Sequence, residues 1–181
     1  MFSTDNISKS IISLQLIVTD VDGTMTDSGV YYDDHGNELK KFSTKDGVGF
    51  IAAHKAGMKI MVLTGRECKA TIRRMTELKA DYIFQNHNDK KKFLLSFMAD
   101  NHIDKSTVAY IGDDVNDLPA MSVCGYKACP VDSSKEIKAI ADYVSPVKGG
   151  CGAVRDVIEH ILREGGIWDT VIEQCFGQAG I

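Results

Sequence analysis

Residues 14–24 read LQLIVTDVDGT. The first six residues, LQLIVT, form a short and mostly apolar run, which predicts a buried strand. The next four, DVDG, are typical of a turn, so two acidic side chains, Asp20 and Asp22, are expected just beyond the strand. The stretch therefore predicts the start of an α/β domain whose first strand ends in carboxylates.

The alternation of short apolar runs and helical patterns continues along the chain. Further strands are predicted at residues 59–63, 81–84, 108–111, 126–128 and 143–144. Helices are predicted at residues 46–56, 67–78, 89–101, 116–123, 135–141 and 153–163. A hairpin is predicted at residues 30–42, with its turn at His35-Gly36-Asn37. This order predicts a single Rossmann-like, doubly wound parallel sheet with helices on both faces and a β-hairpin flap after the first strand.

The composition excludes several classes of protein. The chain has 181 residues, 44% of them hydrophobic, and a net charge of −4. These values are typical of one globular domain and give no basic face for nucleic acid. No apolar run is long enough to span a membrane, and the N-terminal stretch lacks a secretory cleavage site, so neither a membrane protein nor a secreted one is expected. The five irregularly spaced cysteines predict reduced thiols and a cytoplasmic protein, not a zinc site.

Polar signatures follow three of the predicted strands. Asp20 and Asp22 follow the first strand, Thr64 follows the second, and residues 112–117 (GDDVND) follow the fourth. Because ligands of such sheets bind at the carboxyl ends of the strands, these side chains are expected to converge. Carboxylates so close together need a cation, and an all-oxygen ligand set favours Mg²⁺, which usually leaves positions for a substrate phosphate. Thr64 and Lys90, at the start of the helix after the third strand, suit contact with that phosphate.

These signatures resemble those of the haloacid dehalogenase-like phosphatases and occur in that superfamily's order. The matching residues are DVDGT (20–24), TGR (64–66), Lys90 and GDDVND (112–117). A narrower similarity is to the 3-deoxy-D-manno-octulosonate 8-phosphate (KDO 8-phosphate) phosphatases, and it is carried by residues 26–47, TGR, IGDDVNDLP (111–119) and GGCGAVRD (149–156). It extends over a phosphatase domain at residues 14–163, which leaves an N-terminal extension at 1–13 and a C-terminal tail at 164–181.

The resemblance implies a Mg²⁺-dependent phosphomonoester hydrolase that forms an aspartyl-phosphate. Asp20 resembles the nucleophile, and Asp22 resembles the acid that protonates the leaving sugar oxygen and then activates water. Mg²⁺ would be held by Asp20, the backbone carbonyl of Asp22, and Asp113. Thr64 and Lys90 would neutralise the charge of the transferring phosphoryl group.

Some of these assignments keep a structural alternative. Asp114 and Asp117 are expected either to support the metal ligands from behind or to serve only as helix caps. Lys90 begins a run of three lysines, and such a run is also typical of a solvated helix start. Arg74 has the alternative of a solvated helix charge.

The resemblance also implies which residues contact a phosphorylated sugar acid. These are Asp22, Ser43, Thr44, Lys45, Asp46, Gly47, Arg66, Arg74 and Lys90. An arginine fork at position 66 suits a carboxylate, whereas similar phosphatases of a nine-carbon keto acid 9-phosphate tend to have Glu there. Arg66 therefore favours the eight-carbon substrate. Lys45 stands where the relatives usually have Arg, so a point contact is expected there in place of a bidentate one. Cys151 stands where they often have Lys or Arg, which puts a contact from that loop in doubt.

The spacing of the signatures leaves no room for a cap domain. Residues 22–64 already hold the hairpin, a helix and a strand, and residues 64–90 hold a helix and a strand. An open site is poorly protected from water, so a second subunit is expected to close it. The resemblance implies a homotetramer in which the hairpin joins a shared barrel-like assembly. Its apolar anchors are Tyr31, Tyr32, Leu39 and Phe42, unless the hairpin packs only on its own domain.

The C-terminal tail leaves two possibilities open. In the similar family it can reach a neighbouring active site, and Trp168 and Phe176 are candidates for that contact. Packing of the same two side chains on their own domain is the alternative.

The leading hypothesis is hydrolysis of KDO 8-phosphate to KDO and phosphate for lipopolysaccharide synthesis. The alternatives are a phosphatase of the nine-carbon 9-phosphate or of another sugar phosphate, and a non-catalytic assembly module. The presence of Asp20, Asp22, Thr64, Lys90 and Asp113 argues against the module, which has no need of catalytic side chains.

Overall fold

The computed structural model describes residues 13–177. The predicted N-terminal extension, apart from its last residue, and the last four residues of the predicted tail lie outside this range. Six strands form one parallel sheet: β1 (Leu16–Thr19), β4 (Lys59–Leu63), β5 (Tyr82–Phe84), β6 (Val108–Ile111), β7 (Tyr126–Cys129) and β8 (Tyr143–Val144). Two further strands, β2 (Tyr31–Tyr32) and β3 (Glu38–Leu39), pair separately.

The strand order across the sheet is β5-β4-β1-β6-β7-β8. The chain therefore begins near the middle, winds outward to β5, and then crosses back to β6 on the other side of β1. In a sheet wound in this way, the carboxyl ends of the two central strands flank the usual binding crevice. Here those strands are β1 and β6, which confirms the predicted doubly wound sheet and fixes the place of the site.

The central strands are apolar because both faces of the sheet are covered. All four residues of β1 are buried. Ile17 faces a core cluster on one side of the sheet, while Leu16 and Val18 face a second cluster on the other side. This is the alternation of side chains that a strand imposes. A continuous apolar run is therefore what a strand between two helical layers requires.

Helices cover both faces. They are α1 (Lys45–Lys55), α2 (Lys69–Glu77), α3 (Lys90–Asp100), α4 (Leu118–Met121), α5 (Lys135–Ile140), α6 (Ala153–Glu164) and α7 (Trp168–Phe176). Buried side chains of α1, α2, α6 and α7 join the cluster that contains Ile17. Those of α3, α4 and α5 join the other cluster.

The predicted hairpin is present. Strands β2 and β3 are antiparallel, with Tyr31 opposite Leu39, and a bridge between Thr26 and Phe42 closes the base. The action of this hairpin as a flap stays a prediction. Phe42 is partly buried against its own domain's core and so is not an exposed anchor.

Two helices differ from the prediction. Helix α4 is only four residues long, against the eight predicted, and it begins beside Pro119, which lacks the N–H a longer upstream helix would need. Helix α7 lies in the segment predicted only as a tail. Its Trp168 is 6% exposed and belongs to the core cluster, whereas Phe176 is 55% exposed. Trp168 therefore packs on its own domain.

Residues 13–177 contain no cap domain, because β4 follows α1 directly and β5 follows α2. Over the same residues, every helix is too short or too polar to cross a bilayer.

Candidate active site

Three carboxylates meet at the crevice between β1 and β6. Asp20 directly follows β1, and its backbone N–H donates to the carbonyl of Ile111 at the end of β6 (2.9 Å). Asp113 and Asp117 belong to the loop that follows β6. One carboxylate oxygen from each of the three lies within 4.8 Å of the others. The sheet topology thus brings together side chains from distant parts of the chain, since Asp20 and Asp117 are 97 residues apart in sequence.

Gly23 allows the turn after β1 to lie directly against Asp113. Its φ is +93°, and a Cβ at this position would sit 2.0 Å from Asp113 Oδ2. Any other residue would push the two loops apart and strain the backbone. The neighbouring Thr24 hydroxyl donates to Asp113 Oδ1 (3.1 Å), which fixes that carboxylate beside Asp20.

Lys90 lies inside the cluster. Its ammonium donates to Asp20 Oδ1 and to Asp117 Oδ1, both at 2.7 Å, and its side chain is 2% exposed. Asp89 caps α3 by accepting from the Lys92 N–H, so the helix begins with Lys90 aimed at the carboxylates. Lys90 is therefore not a solvated helix start.

Two hydrogen bonds hold the Asp117 carboxylate in place. The buried Tyr110 hydroxyl donates to Asp117 Oδ1 (2.8 Å), and the Asp113 N–H donates to Asp117 Oδ2 (3.1 Å). Asp117 is fully buried and forms no cap hydrogen bond to α4. Asp114 differs, because it is exposed and its carboxylate accepts from the adjacent Val115 N–H.

The carboxylates are short of positive charge. Burial, and then the charge of Asp117, raise the pKa of Asp20 to about 8 and that of Asp113 to about 7. Lys90 supplies one positive charge against three carboxylates. Although burial alone lowers the pKa of Lys90, the charges of Asp20 and Asp117 outweigh it and raise the pKa. A bound divalent cation would remove this imbalance.

The donor set suits magnesium. Each of the three side chains offers a hard carboxylate oxygen, and neither His nor Cys joins the group that the described residues form. Oxygen-only ligation by few carboxylates is the pattern that Mg²⁺ prefers. The structure thus fits the metal that the sequence predicts.

Thr64 and Arg66 lie at the end of β4, on the same edge of the sheet. Thr64 is 2% exposed, and its hydroxyl accepts from the Arg66 N–H (3.3 Å). The Arg66 guanidinium pairs with Glu38 (2.9 Å) and lies 3.9 Å from Asp22 Oδ2. Arg66 and Asp22 are therefore neighbours at this edge of the sheet.

The hairpin contributes residues to the site that are not predicted from the sequence. The Lys40 ammonium forms an ion pair with Asp22 and lies 3.2 Å from Glu38 Oε1. Burial by itself raises the pKa of Glu38, but the hydrogen bonds from Lys40 and Arg66 outweigh it, and the net shift is downward. The signal was the spacing of two residues between Glu38 and Lys40, which places them on one face of a strand.

The remaining predicted substrate residues lie around the start of α1. Thr44 precedes the helix and Lys45 opens it. Arg74 donates to the Ser43 carbonyl (3.4 Å) and lies beside Gly47. Among the described residues, no hydrogen bond or ion pair connects this group to the three carboxylates. Its contact with substrate stays a prediction.

Asp46 is buried away from water. It is 1% exposed, and its Oδ1 accepts from the Arg155 N–H at the start of α6 (3.0 Å). Burial raises the pKa of Asp46 to about 6, because the nearby Arg155 and Arg74 do not fully compensate for the lost water. In this structure its carboxylate joins α1 to α6.

The doubly wound sheet and the acidic cluster at its switch point define the class of the protein: a haloacid dehalogenase-like hydrolase. The family model described as haloacid dehalogenase-like hydrolase matches residues 80–158. A 3-deoxy-D-manno-octulosonate 8-phosphate phosphatase from Haemophilus influenzae is 32% identical, over 87% of this chain and 89% of its own. The same enzyme from Escherichia coli K12 is 32% identical, over 92% of this chain and 88% of its own.

Solved structures agree with this relationship. The crystal structure of 3-deoxy-D-manno-octulosonate 8-phosphate phosphatase from Moraxella catarrhalis, in complex with magnesium, phosphate and KDO, superposes with a TM-score of 0.90 at 32% identity. It covers 95% of this chain and 99% of that one. The Yersinia pestis enzyme gives a TM-score of 0.86 at 32% identity, covering 91% and 89% of the two chains. The chain belongs to the KDO 8-phosphate phosphatase family, and it is a phosphoric monoester hydrolase.

Proposed function

We propose that this protein hydrolyses KDO 8-phosphate to KDO and phosphate, in a Mg²⁺-dependent reaction through an aspartyl-phosphate on Asp20. The observation that carries the proposal is the cluster of Asp20, Asp113 and Asp117 around Lys90. It lies in a chain whose structural relative from Moraxella catarrhalis binds magnesium, phosphate and KDO.

Asp20, Asp113 and the backbone carbonyl of Asp22 are the proposed magnesium ligands. When bound, the metal supplies positive charge that stabilises a transferring phosphoryl group. The raised pKa values of Asp20 and Asp113 support this assignment, because both carboxylates lack a sufficient counter-charge. Asp117 is assigned to holding Lys90, since Lys90 and Tyr110 both donate to the same oxygen of Asp117.

The side chains divide the chemistry between them. A carboxylate oxygen of Asp20 attacks phosphorus, and the bond from phosphorus to the sugar oxygen breaks while Asp22 gives that oxygen a proton. Asp22 then takes a proton from a water molecule, whose oxygen attacks the phosphorus of the aspartyl-phosphate and releases inorganic phosphate. Lys90 is proposed to offset the charge of the phosphoryl oxygens, and the Thr64 hydroxyl is proposed to donate a hydrogen bond to one of them.

Arg66 is the proposed contact for the sugar carboxylate. Its guanidinium is 44% exposed at the crevice and adjoins Asp22, so an anionic substrate can reach it. Ser43, Thr44, Lys45, Gly47 and Arg74 are proposed to line the far side of the substrate. The charge of the sugar acid therefore meets arginine and lysine side chains and not the carboxylates.

A homotetramer is proposed to close the site. The hairpin exposes Val30, Tyr31, Tyr32 and Leu39. Tyr31 and Leu39 pair on the face turned away from the site, and Tyr32, which is 65% exposed, lies opposite Glu38. Adjacent apolar side chains on a two-stranded hairpin are costly to leave in water and typical of an interface. We place the assembly in a cytoplasm, where its five free cysteines stay reduced.

Phosphate release from KDO 8-phosphate tests the reaction. We expect turnover with Mg²⁺, none with EDTA, and a loss of at least about 10³-fold in Asp20→Asn. Asp100→Asn, an exposed carboxylate at the end of α3, is the matched control and should keep full activity. Activity that survives EDTA, or that persists in Asp20→Asn, contradicts the mechanism.

A further inference from the structure

Lys40 is a buried ammonium at the root of the hairpin. Its side chain is 1% exposed, and it pairs with Asp22 and Glu38. A lysine charge taken from water is costly unless carboxylates replace the lost hydration. Here two carboxylates do so, one from the loop after β1 and one from the hairpin itself.

The register of the hairpin separates Lys40 from its neighbour Lys41. Side chains alternate along an extended chain, so Glu38 and Lys40 face the site while Leu39 and Lys41 face away. The Lys41 side chain is 62% exposed and its nearest acid is Asp27 at 3.6 Å. Lys40 is thus buried beside two carboxylates whereas Lys41 is exposed, so only Lys40 can act on the site.

Lys40 is the nearest charged partner of Asp22. Asp22 lies in the turn after β1, directly before Gly23, and its side chain is 24% exposed. Arg66 is its other charged neighbour, 3.9 Å away. Lys40 thus pairs with one carboxylate oxygen of Asp22, and the more distant Arg66 approaches the other.

We propose that Lys40 is a positioning residue, which holds the Asp22 carboxylate in the orientation needed for proton transfer and fastens the hairpin to the loop after β1. The inference rests on the proposed function, in which Asp22 protonates the leaving oxygen. Glu38 completes the arrangement by pairing with both Lys40 and Arg66, so that the hairpin links the proton donor to the proposed carboxylate site.

This role predicts a dependence on the leaving group. The proton from Asp22 matters most when the departing oxygen is that of a poor leaving group, such as an alcohol. A good leaving group departs without it. Loss of Lys40 should therefore slow alkyl esters and poor aryl esters while sparing activated aryl esters.

The experiment compares wild type, Lys40→Met and Lys40→Gln on a series of substituted phenyl phosphates with progressively poorer leaving groups, and on KDO 8-phosphate. We expect kcat/KM to fall roughly 10- to 100-fold for KDO 8-phosphate and for the poorest aryl ester, but less than about threefold for p-nitrophenyl phosphate. Lys40→Arg should recover part of the loss. Lys41→Met is the matched control and should follow wild type across the series.

Two results would overturn the inference. One is an equal loss on every ester in both variants, which indicates a role in folding alone. The other is a rise in KM limited to KDO 8-phosphate, which makes Lys40 a direct substrate contact. If wild type hydrolyses the aryl series but not KDO 8-phosphate, the proposed substrate is wrong, and the leaving-group trend still decides the role of Lys40.

Discussion

Tyr110 shows how one buried hydroxyl supports the cluster. It donates to the same oxygen of Asp117 that accepts from Lys90, and so helps to keep Lys90 directed at Asp20. A hydrogen bond to a charged group contributes about 1.5–3 kcal/mol. The hydroxyl therefore stabilises both the fold and the geometry of the site.

Tyr110→Phe should lower the free energy of unfolding by about 1–3 kcal/mol and reduce kcat several-fold. The measurements are urea unfolding and steady-state kinetics. Tyr126→Phe is the matched control, because the Tyr126 hydroxyl is buried without a hydrogen-bond partner among the described residues. Its removal should leave the free energy of unfolding unchanged or higher. Equal effects of the two substitutions would contradict the assigned role of Tyr110.

Asp46 predicts a pH-dependent stability. Its pKa rises from 3.8 in the unfolded chain to about 6 in the folded protein, mainly through burial. The folded state thus binds more protons between those values, and stability falls as the pH rises through that window. Above pH 6, where the Asp46 carboxylate is ionised, its burial lowers the free energy of unfolding by about 3 kcal/mol.

Asp46→Asn removes that titration and keeps an oxygen for the Arg155 N–H. Relative to wild type, its free energy of unfolding should rise by up to about 3 kcal/mol between pH 4 and pH 7, as measured by urea unfolding. Asp104→Asn is the control: hydrogen bonds from Ser106 lower the pKa of the exposed Asp104, so Asp104 titrates below pH 4 and this variant's difference from wild type should stay nearly constant between pH 4 and pH 7. A difference for Asp46→Asn that does not change with pH would contradict this account.

Single residues at strand ends were the most predictable part of the site. Asp20, Thr64 and Asp113 could be placed from the sequence, because parallel strands deliver their carboxyl ends to one edge, and Lys90 could be placed because it begins the helix after the third predicted strand. Tyr110 could not be placed in this way, because in sequence a tyrosine within an apolar strand looks like any other core residue. Its role becomes visible only when the loop after β6 brings Asp117 next to its hydroxyl. Asp117 also needed the structure to choose between a cap and a partner of Lys90.

At the scale of elements, the loop before α6 packs on the loop after β1. A Cβ on Gly149 would lie 1.8 Å from the carbonyl oxygen of Gly23, so the backbones of the two loops are in direct contact there. The Gly149 N–H also donates to Asp132 (3.0 Å). The position of the turn that contains Asp22 thus depends on a loop about 125 residues further along the chain.

Gly149→Ala should displace that turn. We expect kcat/KM to fall about 10-fold or more, with destabilisation of about 1–3 kcal/mol from the forced contact. Kinetics and urea unfolding measure the two effects. Gly165→Ala is the control, because its Cβ would meet only ordinary contacts at 3.4 Å or more. Full activity of Gly149→Ala would show that the two loops do not share a fixed geometry.

The elements themselves were largely predictable, and the exceptions have physical causes. Strands of the sheet stand out as apolar runs between turns, and strands β4, β6 and β8 have the predicted bounds. The position of helix α7 after the last predicted helix indicates only a tail, whereas in the structure Trp168 packs between the core and two arginines, Arg155 and Arg163. The inward direction of Lys40 was missed because neighbouring lysines look alike in sequence.

At the scale of the whole molecule, the sheet brings several carboxylates together at one crevice. Protons and Mg²⁺ compete there, because the pKa of Asp20 is raised to about 8 and that of Asp113 to about 7. Metal binding must release these protons. The affinity for Mg²⁺ should therefore increase as the pH rises.

Calorimetric titration of the metal-free protein with Mg²⁺ at pH 6, 7 and 8 tests this. We expect the dissociation constant to fall by up to about 100-fold between pH 6 and pH 7, where binding displaces a proton from each carboxylate, and by about 10-fold between pH 7 and pH 8, with net proton release over the whole range. Asp113→Asn should weaken binding and reduce the proton release. An affinity that does not change over this range would mean that neither carboxylate is a ligand.

The central claim is that one crevice of this capless fold selects an eight-carbon sugar acid phosphate. The most direct measurement is kcat/KM for phosphate release from KDO 8-phosphate, the nine-carbon keto acid 9-phosphate and ordinary hexose phosphates, all with Mg²⁺. The account predicts that KDO 8-phosphate is hydrolysed best and that Arg66→Ala removes most of its advantage over the hexose phosphates. A hexose phosphate or the nine-carbon substrate hydrolysed best would contradict it.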